Sequence, residues 1–265
     1  MVIIYIIVVL IVIFLIYSFF IEPYLLQVRN FDLNKKTNNE LKILHFSDIH
    51  LKKHFNLDHL KKIIDKINEQ DPDVVIFTGD LYDNYSKYHD DQNLINLLKQ
   101  IKAGTKLAVS GNHDYFDGNY NTYLNIMKQS GFTLLENSEK KVTVYNKTIS
   151  FIGLPDIEYN PKLNLPEVKS DYKILLSHEP EAVDKINGKY DLILSGHSHG
   201  GQIFLYFIPI FITKFIKNSH HSFKYVKDFY NTKNGKLYVN SGIGTTRIPA
   251  RFGVIPSITL FHLYF

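Results

Sequence analysis

The amino-acid sequence predicts an α/β protein that is preceded by one transmembrane helix. Three observations support this prediction. Residues 2–21 are apolar and carry no charge. Between residues 41 and 127, short apolar runs alternate with segments of helical periodicity, which is typical of a mainly parallel sheet with right-handed crossovers. From Phe132 onward, strand-like runs follow one another with shorter connections, and we expect a second sheet packed on the first.

Length and composition fit a folded protein with a sizeable core. The chain has 265 residues, of which 45% are hydrophobic. Its net charge of +4 is mild and its lysines are spread out, so we expect no nucleic-acid partner. The chain contains no cysteine, which excludes disulfides, thiolate nucleophiles and cysteine-type zinc sites.

Residues 1–21 are predicted to form an uncleaved transmembrane anchor. Twenty helical residues span about 30 Å, the thickness of the hydrocarbon core of a bilayer. A cleaved signal peptide is the alternative, but no basic segment precedes the apolar run and Ile21-Glu22-Pro23 is not a small-residue cleavage site. The mixed polar segment 22–40 is predicted to be a tether, and the folded body is predicted to cover residues 41–265.

The side of the membrane on which the body lies is left open by the flanking charges. Arg29, Lys35 and Lys36 follow the apolar segment, and the positive-inside rule would keep the body in the cytoplasm. Large domains are translocated largely regardless of such charges, so this preference is weak.

Each element of the body is predicted from its periodicity. Buried apolar runs indicate strands, and apolar residues spaced by three and four indicate helices. The first predicted strands are 41–46, 74–77 and 107–109, and the predicted helices cover 57–67, 94–101 and 120–127. The later predicted strands are 142–145, 149–152, 174–176, 192–194, 237–239 and 257–263.

Residues 203–216 depart from this pattern. The apolar run around Pro209 is too short to span a membrane, and the proline would interrupt a helix. One interpretation is a buried core segment or a pair of strands. The other is an apolar surface in contact with the bilayer, with Lys214 and Lys217 at the level of the headgroups.

Five short segments that follow predicted strands carry metal-binding side chains. Ligands bind at the carboxyl ends of the strands in open α/β sheets, and carboxylates, amides and imidazoles all coordinate metals. The segments are Asp48-Ile49-His50, Gly79-Asp80, Gly111-Asn112-His113-Asp114, His178 and Gly196-His197-Ser198-His199. Each segment alone is compatible with an ordinary turn. All five in this order predict a dinuclear metal site that hydrolyses phosphate esters.

Together these segments resemble the motifs of the calcineurin-like metallophosphoesterases. The resemblance covers residues 41–265, and the runs 196–202 and 241–253 resemble the bacterial membrane-associated YkuE/YaeI-type branch of that family. It implies a four-layer α-β-β-α sandwich of two mixed sheets. Relatives in this branch are often exported, which favours the outer face of a bacterial cytoplasmic membrane over the cytoplasmic side.

The resemblance also implies a role for each metal-binding side chain. One metal is assigned to Asp48, His50 and His199, the other to Asn112, His178 and His197, and Asp80 bridges the two. A shared carboxylate is physically reasonable because it offsets the repulsion between two dications roughly 4 Å apart. The mixed oxygen and imidazole ligands suit Mn²⁺, Fe, Co²⁺ or Zn²⁺ better than Ca²⁺ or Mg²⁺.

Further residues are assigned to the chemistry around the metals. A hydroxide held between the metals is expected to attack phosphorus. His113 is expected to protonate the leaving oxygen as general acid, oriented by Asp83. Asp114 is interpreted as a turn or supporting residue rather than a ligand. Arg247 and Arg251 are candidate contacts for the anionic substrate, or they pack or pair at the surface.

One departure from the wider family bears on the substrate. The protein-phosphatase branch has an arginine that clamps a phosphomonoester at the position of Asn84. Its absence favours a phosphodiesterase or pyrophosphohydrolase that acts on a lipid-linked or envelope phosphate substrate. A phosphomonoesterase of nucleotides or phosphoproteins is the alternative enzyme. A non-catalytic metal-binding scaffold is a further alternative, disfavoured by the intact set of ligands.

Overall fold

A computed structural model describes residues 1–34, 37–203 and 224–265 of the chain. Most of the apolar run 203–216 lies outside these described residues. The two interpretations of that run, including the placement of Lys214 and Lys217 at a membrane surface, are therefore not tested. Lys35 and Lys36 also lie outside the described residues.

The N-terminal segment is a long apolar helix. Helix α1 covers Val2–Ile16 and continues through one π-helical turn, Tyr17–Ile21, and one 3-10 turn, Glu22–Tyr24. The combined helix, Val2–Tyr24, has 23 residues, and only 6% of its most apolar part is buried. Its length and composition are sufficient to cross a bilayer. It is a candidate membrane span.

Nine of the twelve described strands, and helices α2, α3 and α4, were predicted from the sequence and follow in the predicted order. The elements after α1 are β1 (Gln27–Leu33), β2 (Glu40–Phe46), α2 (Leu57–Glu69), β3 (Val74–Phe77), α3 (Asp91–Leu98), β4 (Thr105–Ala108), α4 (Tyr120–Gln129), β5 (Thr133–Leu134), β6 (Ser138–Val144), β7 (Lys147–Gly153), β8 (Tyr172–Leu176), α5 (Ala182–Lys185), β9 (Leu192–Ser195), β10 (Asp228–Thr232), β11 (Gly235–Val239) and β12 (Ser257–Tyr264).

The strands form two mixed sheets. The first has the order β1-β12-β2-β3-β4-β5, and the second has the order β10-β11-β9-β8-β7-β6. In the first sheet β12 is antiparallel to β2, while β2, β3, β4 and β5 are parallel. In the second sheet β11, β9, β8 and β7 are parallel, and the edge strands β10 and β6 are antiparallel to their neighbours.

Alternating side chains of each central strand bury the two faces of its sheet. In β2, Leu44 and Phe46 pack against α2, α3 and α4, whereas Leu41 and Ile43 pack into the core between the sheets. This is the period of two expected for a strand buried on both faces. A third core lies on the outer face of the second sheet, under the short α5 and its flanking loops. The result is the predicted α-β-β-α sandwich of two mixed sheets, with a thin outer layer on the second sheet.

The prediction that residues 22–40 form a tether is wrong over Gln27–Leu33, because these residues form strand β1. Strand β1 pairs in parallel with β12 over seven residues, from Gln27 opposite Ser257 to Leu33 opposite Leu263. Phe31 and Leu33 pack into the core between the sheets. The sequence showed no apolar strand pattern here, because β1 lies at a sheet edge and most of its side chains are only partly buried.

Candidate metal centre

The loops that follow five strands meet at one edge of the two sheets. They bring together all seven side chains that the sequence predicted as metal ligands. The loop after β2 carries Asp48 and His50, the loop after β3 carries Asp80, the loop after β4 carries Asn112, the loop after β8 carries His178, and the loop after β9 carries His197 and His199.

The first cluster contains Asp48, His50 and His199, which are all buried. The Nε2 atom of His199 lies 3.0 Å from Nε2 of His50 and 3.5 Å from Oδ1 of Asp48. One ligand atom from each residue lies within 4.8 Å of the others. These three side chains could hold one metal ion.

The second cluster contains Asp80, His178 and His197, with the amide of Asn112 beside them. The Nε2 atom of His178 lies 3.3 Å from Oδ2 of Asp80, 3.0 Å from Nδ1 of His197 and 3.2 Å from Oδ1 of Asn112. This group could hold a second metal ion with two imidazoles and two oxygen ligands.

Asp80 lies between the two clusters. Its Oδ2 atom is 3.2 Å from Nε2 of His50 in the first cluster and 3.3 Å from Nε2 of His178 in the second. A single carboxylate oxygen therefore faces both clusters, which is the position required of a bridging ligand.

The imidazoles are oriented as metal ligands. Nδ1 of His178 donates to the Thr78 carbonyl at 2.6 Å, so its Nε2 presents a lone pair to the cluster. Nδ1 of His50 lies 3.4 Å from Oδ1 of Asp83, which leaves Nε2 of His50 facing Asp80. In each cluster two imidazole nitrogens approach to 3.0 Å, a separation that requires either a proton or a metal ion between their lone pairs. The donor set thus fits two divalent ions.

The electrostatics of the site also favour cations. Burial raises the pKa of Asp48. Burial would likewise raise the pKa of Asp80, but the facing imidazoles of His178 and His113 outweigh it and hold the pKa well below its usual range. Burial would lower the pKa of His50, and its hydrogen bond with Asp80 instead raises the pKa to about 9. Two buried carboxylates therefore attract positive charge, either protons on the imidazoles or metal ions.

The backbone is strained at most of the ligands. Five of the seven lie in the left-handed region, with φ between +46° and +69°: Asp48, His50, Asp80, His197 and His199. This conformation is uncommon for residues other than glycine and costs on the order of 1–3 kcal/mol at each position. Such strain persists where surrounding contacts fix the geometry, as is common at functional sites.

Asp114 supplies one of these fixing contacts. Its buried carboxylate accepts hydrogen bonds from the backbone N–H groups of Asp80 at 2.9 Å, Leu81 at 2.9 Å and Gly111 at 2.8 Å. It thereby ties the loop after β3 to the loop after β4. A Cβ atom at Gly111 would lie 2.4 Å from Oδ1 of Asp80, so only glycine leaves room for that carboxylate.

His113 lies beside His50 and Asp80 at the metal centre. Its ring centroid is 4.5 Å from that of His50, and its Nδ1 donates to the backbone carbonyl of Asp83 at 2.6 Å. The carboxylate of Asp83 instead lies 3.2 Å from Nζ of Lys52 and 3.4 Å from Nδ1 of His50. Asp83 therefore contacts His113 through its carbonyl and supports His50 through its carboxylate. No sequence pattern indicated a role for Lys52.

The surroundings of Arg251 favour the alternative that it packs within the protein over the alternative that it contacts the substrate anion. Its side chain is fully buried, and its guanidinium donates to the backbone carbonyls of Ser241, Gly242, Gly244 and Val254. A buried guanidinium is retained here because these carbonyls satisfy its donors. Its NH2 atom also lies 3.5 Å from Nδ1 of the ligand His199.

Arg247 lies in the same loop and is exposed. It stays a candidate contact for an anionic substrate, since no described carbonyl or carboxylate occupies its guanidinium.

The end of the apolar helix docks on the Arg251 loop. The backbone N–H of Arg251 donates to the carbonyl of Ser18 at 2.9 Å. The buried Glu22 carboxylate accepts from the N–H groups of Gly253 at 3.0 Å and Val254 at 2.6 Å. The helix is thus joined to the loop that supports a metal ligand. Sequence reasoning missed Glu22 because a charged residue directly after an apolar span is ordinary.

Residues 41–201 match the family model described as calcineurin-like phosphoesterase. The metallophosphoesterase YkuE of Bacillus subtilis is 35% identical over 93% of this chain and 88% of its own length. A transmembrane protein with a metallophosphoesterase domain from Danio rerio is 30% identical over 83% of this chain, which spans about half (52%) of that protein.

Among solved structures, the NAD nucleotidase of Haemophilus influenzae superimposes with a TM-score of 0.50. The match has 15% identity and covers 77% of this chain and 51% of the nucleotidase. At this level of identity the likeness concerns the fold alone.

Proposed function

This chain belongs to the calcineurin-like phosphoesterases, a family of metal-dependent phosphoric ester hydrolases, and we propose that it cleaves phosphodiesters or pyrophosphates of a lipid-linked or envelope substrate. The observation that carries the proposal is the pair of ligand clusters that share Asp80, because two metals on either side of one carboxylate are suited to phosphoryl chemistry.

Two divalent ions held by these clusters would supply an activated water and would neutralise charge on the phosphoryl oxygens. The residues of the chain position these ions. Asp80 sets the spacing of the clusters, and the Asp114 carboxylate fixes the backbone of Asp80 by accepting a hydrogen bond from the Asp80 N–H group. Mn²⁺, Fe, Co²⁺ and Zn²⁺ are the ions that this mixture of imidazole and oxygen ligands suits.

We assign the general acid to His113. Its Nδ1–H donates to the carbonyl of Asp83, which fixes the plane of the ring and leaves Nε2 as the nitrogen that can pass a proton to the leaving oxygen. Its half-buried position beside His50 keeps that nitrogen close to both clusters.

A diester or pyrophosphate is favoured by the surroundings of Asn84. The side-chain oxygen of Asn84 accepts from the N–H of Lys87 at 3.1 Å, so this residue caps its own turn. No bidentate cation at this position is available to neutralise the second charge of a terminal phosphate.

A lipid-linked substrate is favoured by the position of the helix. His199, Arg251 and Ser18 form a continuous chain of contacts from the first ligand cluster to the end of the candidate span. A phosphate group at the surface of a bilayer would therefore lie close to the metals. We further propose that the body faces the outer side of a bacterial cytoplasmic membrane, which digestion of intact cells by an added protease would test.

Substrate class is tested by comparing two aryl esters. The purified full chain, loaded with Mn²⁺ in detergent, should hydrolyse bis-p-nitrophenyl phosphate at least tenfold faster, as kcat/KM, than p-nitrophenyl phosphate. Asp80→Asn is the control for metal-dependent turnover and should abolish both activities. Faster cleavage of the monoester would favour the phosphomonoesterase alternative. No turnover of either ester, with two metals bound, would favour the scaffold alternative.

A further inference from the structure

An apolar groove lies where the N-terminal helix meets the body. Its volume is about 190 Å³. One wall is the segment 23–26 at the C-terminal end of the apolar helix, and another is formed by Phe55 and by Ile63 of α2. Ile243 and Pro256 complete the lining. None of the seven metal-facing side chains lines this groove, so it is separate from the hydrolytic site.

Cationic side chains of α2 line one side of the groove. Lys62 is exposed and makes no ion pair with the described residues, while Lys66 pairs with Glu69. His59 lies between the rings of Tyr24 and Phe55, with centroid distances of 4.7 Å and 5.6 Å. The groove therefore combines an apolar interior with two lysines at its rim, of which Lys62 has no ion-pair partner among the described residues.

The groove opens at the level where the helix would leave a bilayer. Pro23 and Tyr24 are the last residues of the candidate span, and they also line the groove. Leu25, which lines the groove, and Ile255, which precedes the lining residue Pro256, are about two-fifths exposed, at 40% and 38%. Exposed apolar side chains next to a membrane span are suited to contact with lipid.

We propose that this groove binds an anionic phospholipid of the surrounding bilayer. One acyl chain lies along the apolar lining, and the phosphate contacts Lys62 and Lys66. A basic residue near an anionic leaflet contributes about 1 kcal/mol to such binding, which is about fivefold in affinity. The proposal rests on the membrane span and is independent of the substrate proposed above.

The test uses the full chain in nanodiscs of phosphatidylcholine that contain a trace of phosphatidylglycerol with a diazirine in its acyl chain. After illumination, the labelled peptides are identified by mass spectrometry. We expect labels on residues 2–21 and also on the groove segments 23–26 and 55–66. Lys62→Glu should reduce labelling of the groove about fivefold and leave labelling of residues 2–21 unchanged.

Lys61→Glu is a matched control. Lys61 precedes Lys62 on the same helix, pairs with Asp65 at 2.9 Å and does not line the groove. The two variants have the same net charge, so a non-specific effect of charge would lower labelling equally in both. Neither variant should alter hydrolysis of bis-p-nitrophenyl phosphate in detergent.

Four results would overturn the proposal. Labels on residues 2–21 without labels in the groove would show a span that holds no lipid there. Equal losses in Lys61→Glu and Lys62→Glu, or equal labelling by a diazirine phosphatidylcholine, would exclude selective recognition of an anionic lipid. Absence of labels from both residues 2–21 and the groove would contradict the membrane span as well as the lipid site. That result would leave the proposed hydrolytic activity standing, because the comparison of aryl esters tests it separately.

Discussion

His113 is the residue whose proposed role is most directly testable. Its ring is held by the Asp83 carbonyl and lies within reach of His50 and Asp80, while each cluster has three other side chains to hold its metal. We expect His113→Ala to keep two bound metals, measured by plasma mass spectrometry, and to lose about 10²–10⁴-fold in kcat, the usual contribution of a general acid. The loss should be largest for substrates with alkoxide leaving groups. Wild-type turnover of an alkyl phosphodiester by this variant would refute the assignment, because the alkoxide is the leaving group that most needs a proton.

Arg251 and Arg247 form a matched pair in one loop. Arg251 is buried and donates to several carbonyls, whereas Arg247 is exposed. Lysine has fewer donors and a different geometry, so Arg251→Lys should leave buried carbonyls unsatisfied and lower the free energy of unfolding by about 1–3 kcal/mol. Arg247→Lys should change it by less than about 0.5 kcal/mol. Chemical unfolding in detergent measures the free energy of unfolding of both variants. Equal changes would show that the carbonyl contacts of Arg251 do not contribute to stability.

At the scale of elements, β1 completes the first sheet. It covers one edge of β12, and its Phe31 and Leu33 are part of the core between the sheets. Without it, β12 would become an exposed edge strand with unpaired backbone groups. The folded body therefore begins at about Gln27 rather than at Leu41.

Two truncations test this boundary. A variant that begins at Leu26 retains β1, whereas a variant that begins at Leu41 lacks it. We expect the second to be less stable than the first by at least about 3 kcal/mol, from the loss of buried Phe31 and Leu33, or to aggregate. Denaturant unfolding and light scattering measure the two outcomes. Equal stability would restore the original boundary at residue 41.

The predictability of each element follows from its burial. Strands such as β3, with four buried apolar residues in succession, and helices such as α2, with a buried stripe, were predicted. The edge strands β1 and β10 and the two-residue β5 were missed, because half-exposed strands carry polar side chains that weaken the pattern.

The metal-facing residues of the site were also easier to predict than the residues that hold them in position. Asp48, Asp80 and His178 each follow a recognisable strand, so their convergence was predictable. Glu22 and Arg251 act through contacts between segments more than 200 residues apart, and no local pattern indicates such contacts.

At the scale of the whole molecule, a buried histidine links stability to pH. His45 lies between the two sheets, and burial lowers its pKa to about 3 from an ordinary value of 6.5. It is therefore neutral in the folded protein at pH 5, while the unfolded chain is protonated there. Because the lowered pKa favours unfolding in acid, stability is present above pH 6.5 and is lost as the pH falls below it.

The size of this effect is about 2 kcal/mol between pH 7 and pH 5. It should be absent from His45→Gln, which cannot titrate but can still bond with Thr78 as His45 does at 2.9 Å. The measurement is the difference between the wild-type and variant free energies of unfolding at each pH. A difference that does not change with pH would show that His45 titrates normally.

The joint between Glu22, Ser18 and the Arg251 loop also has a kinetic consequence. A body on a flexible linker would tumble and meet its substrate from any direction. With the helix as a membrane span, this joint would instead hold the body at a fixed height and tilt above the bilayer. For a lipid-linked phosphate, encounter then becomes lateral diffusion in two dimensions. The turnover rate should follow the mole fraction of substrate in the membrane rather than its concentration in the bulk solution.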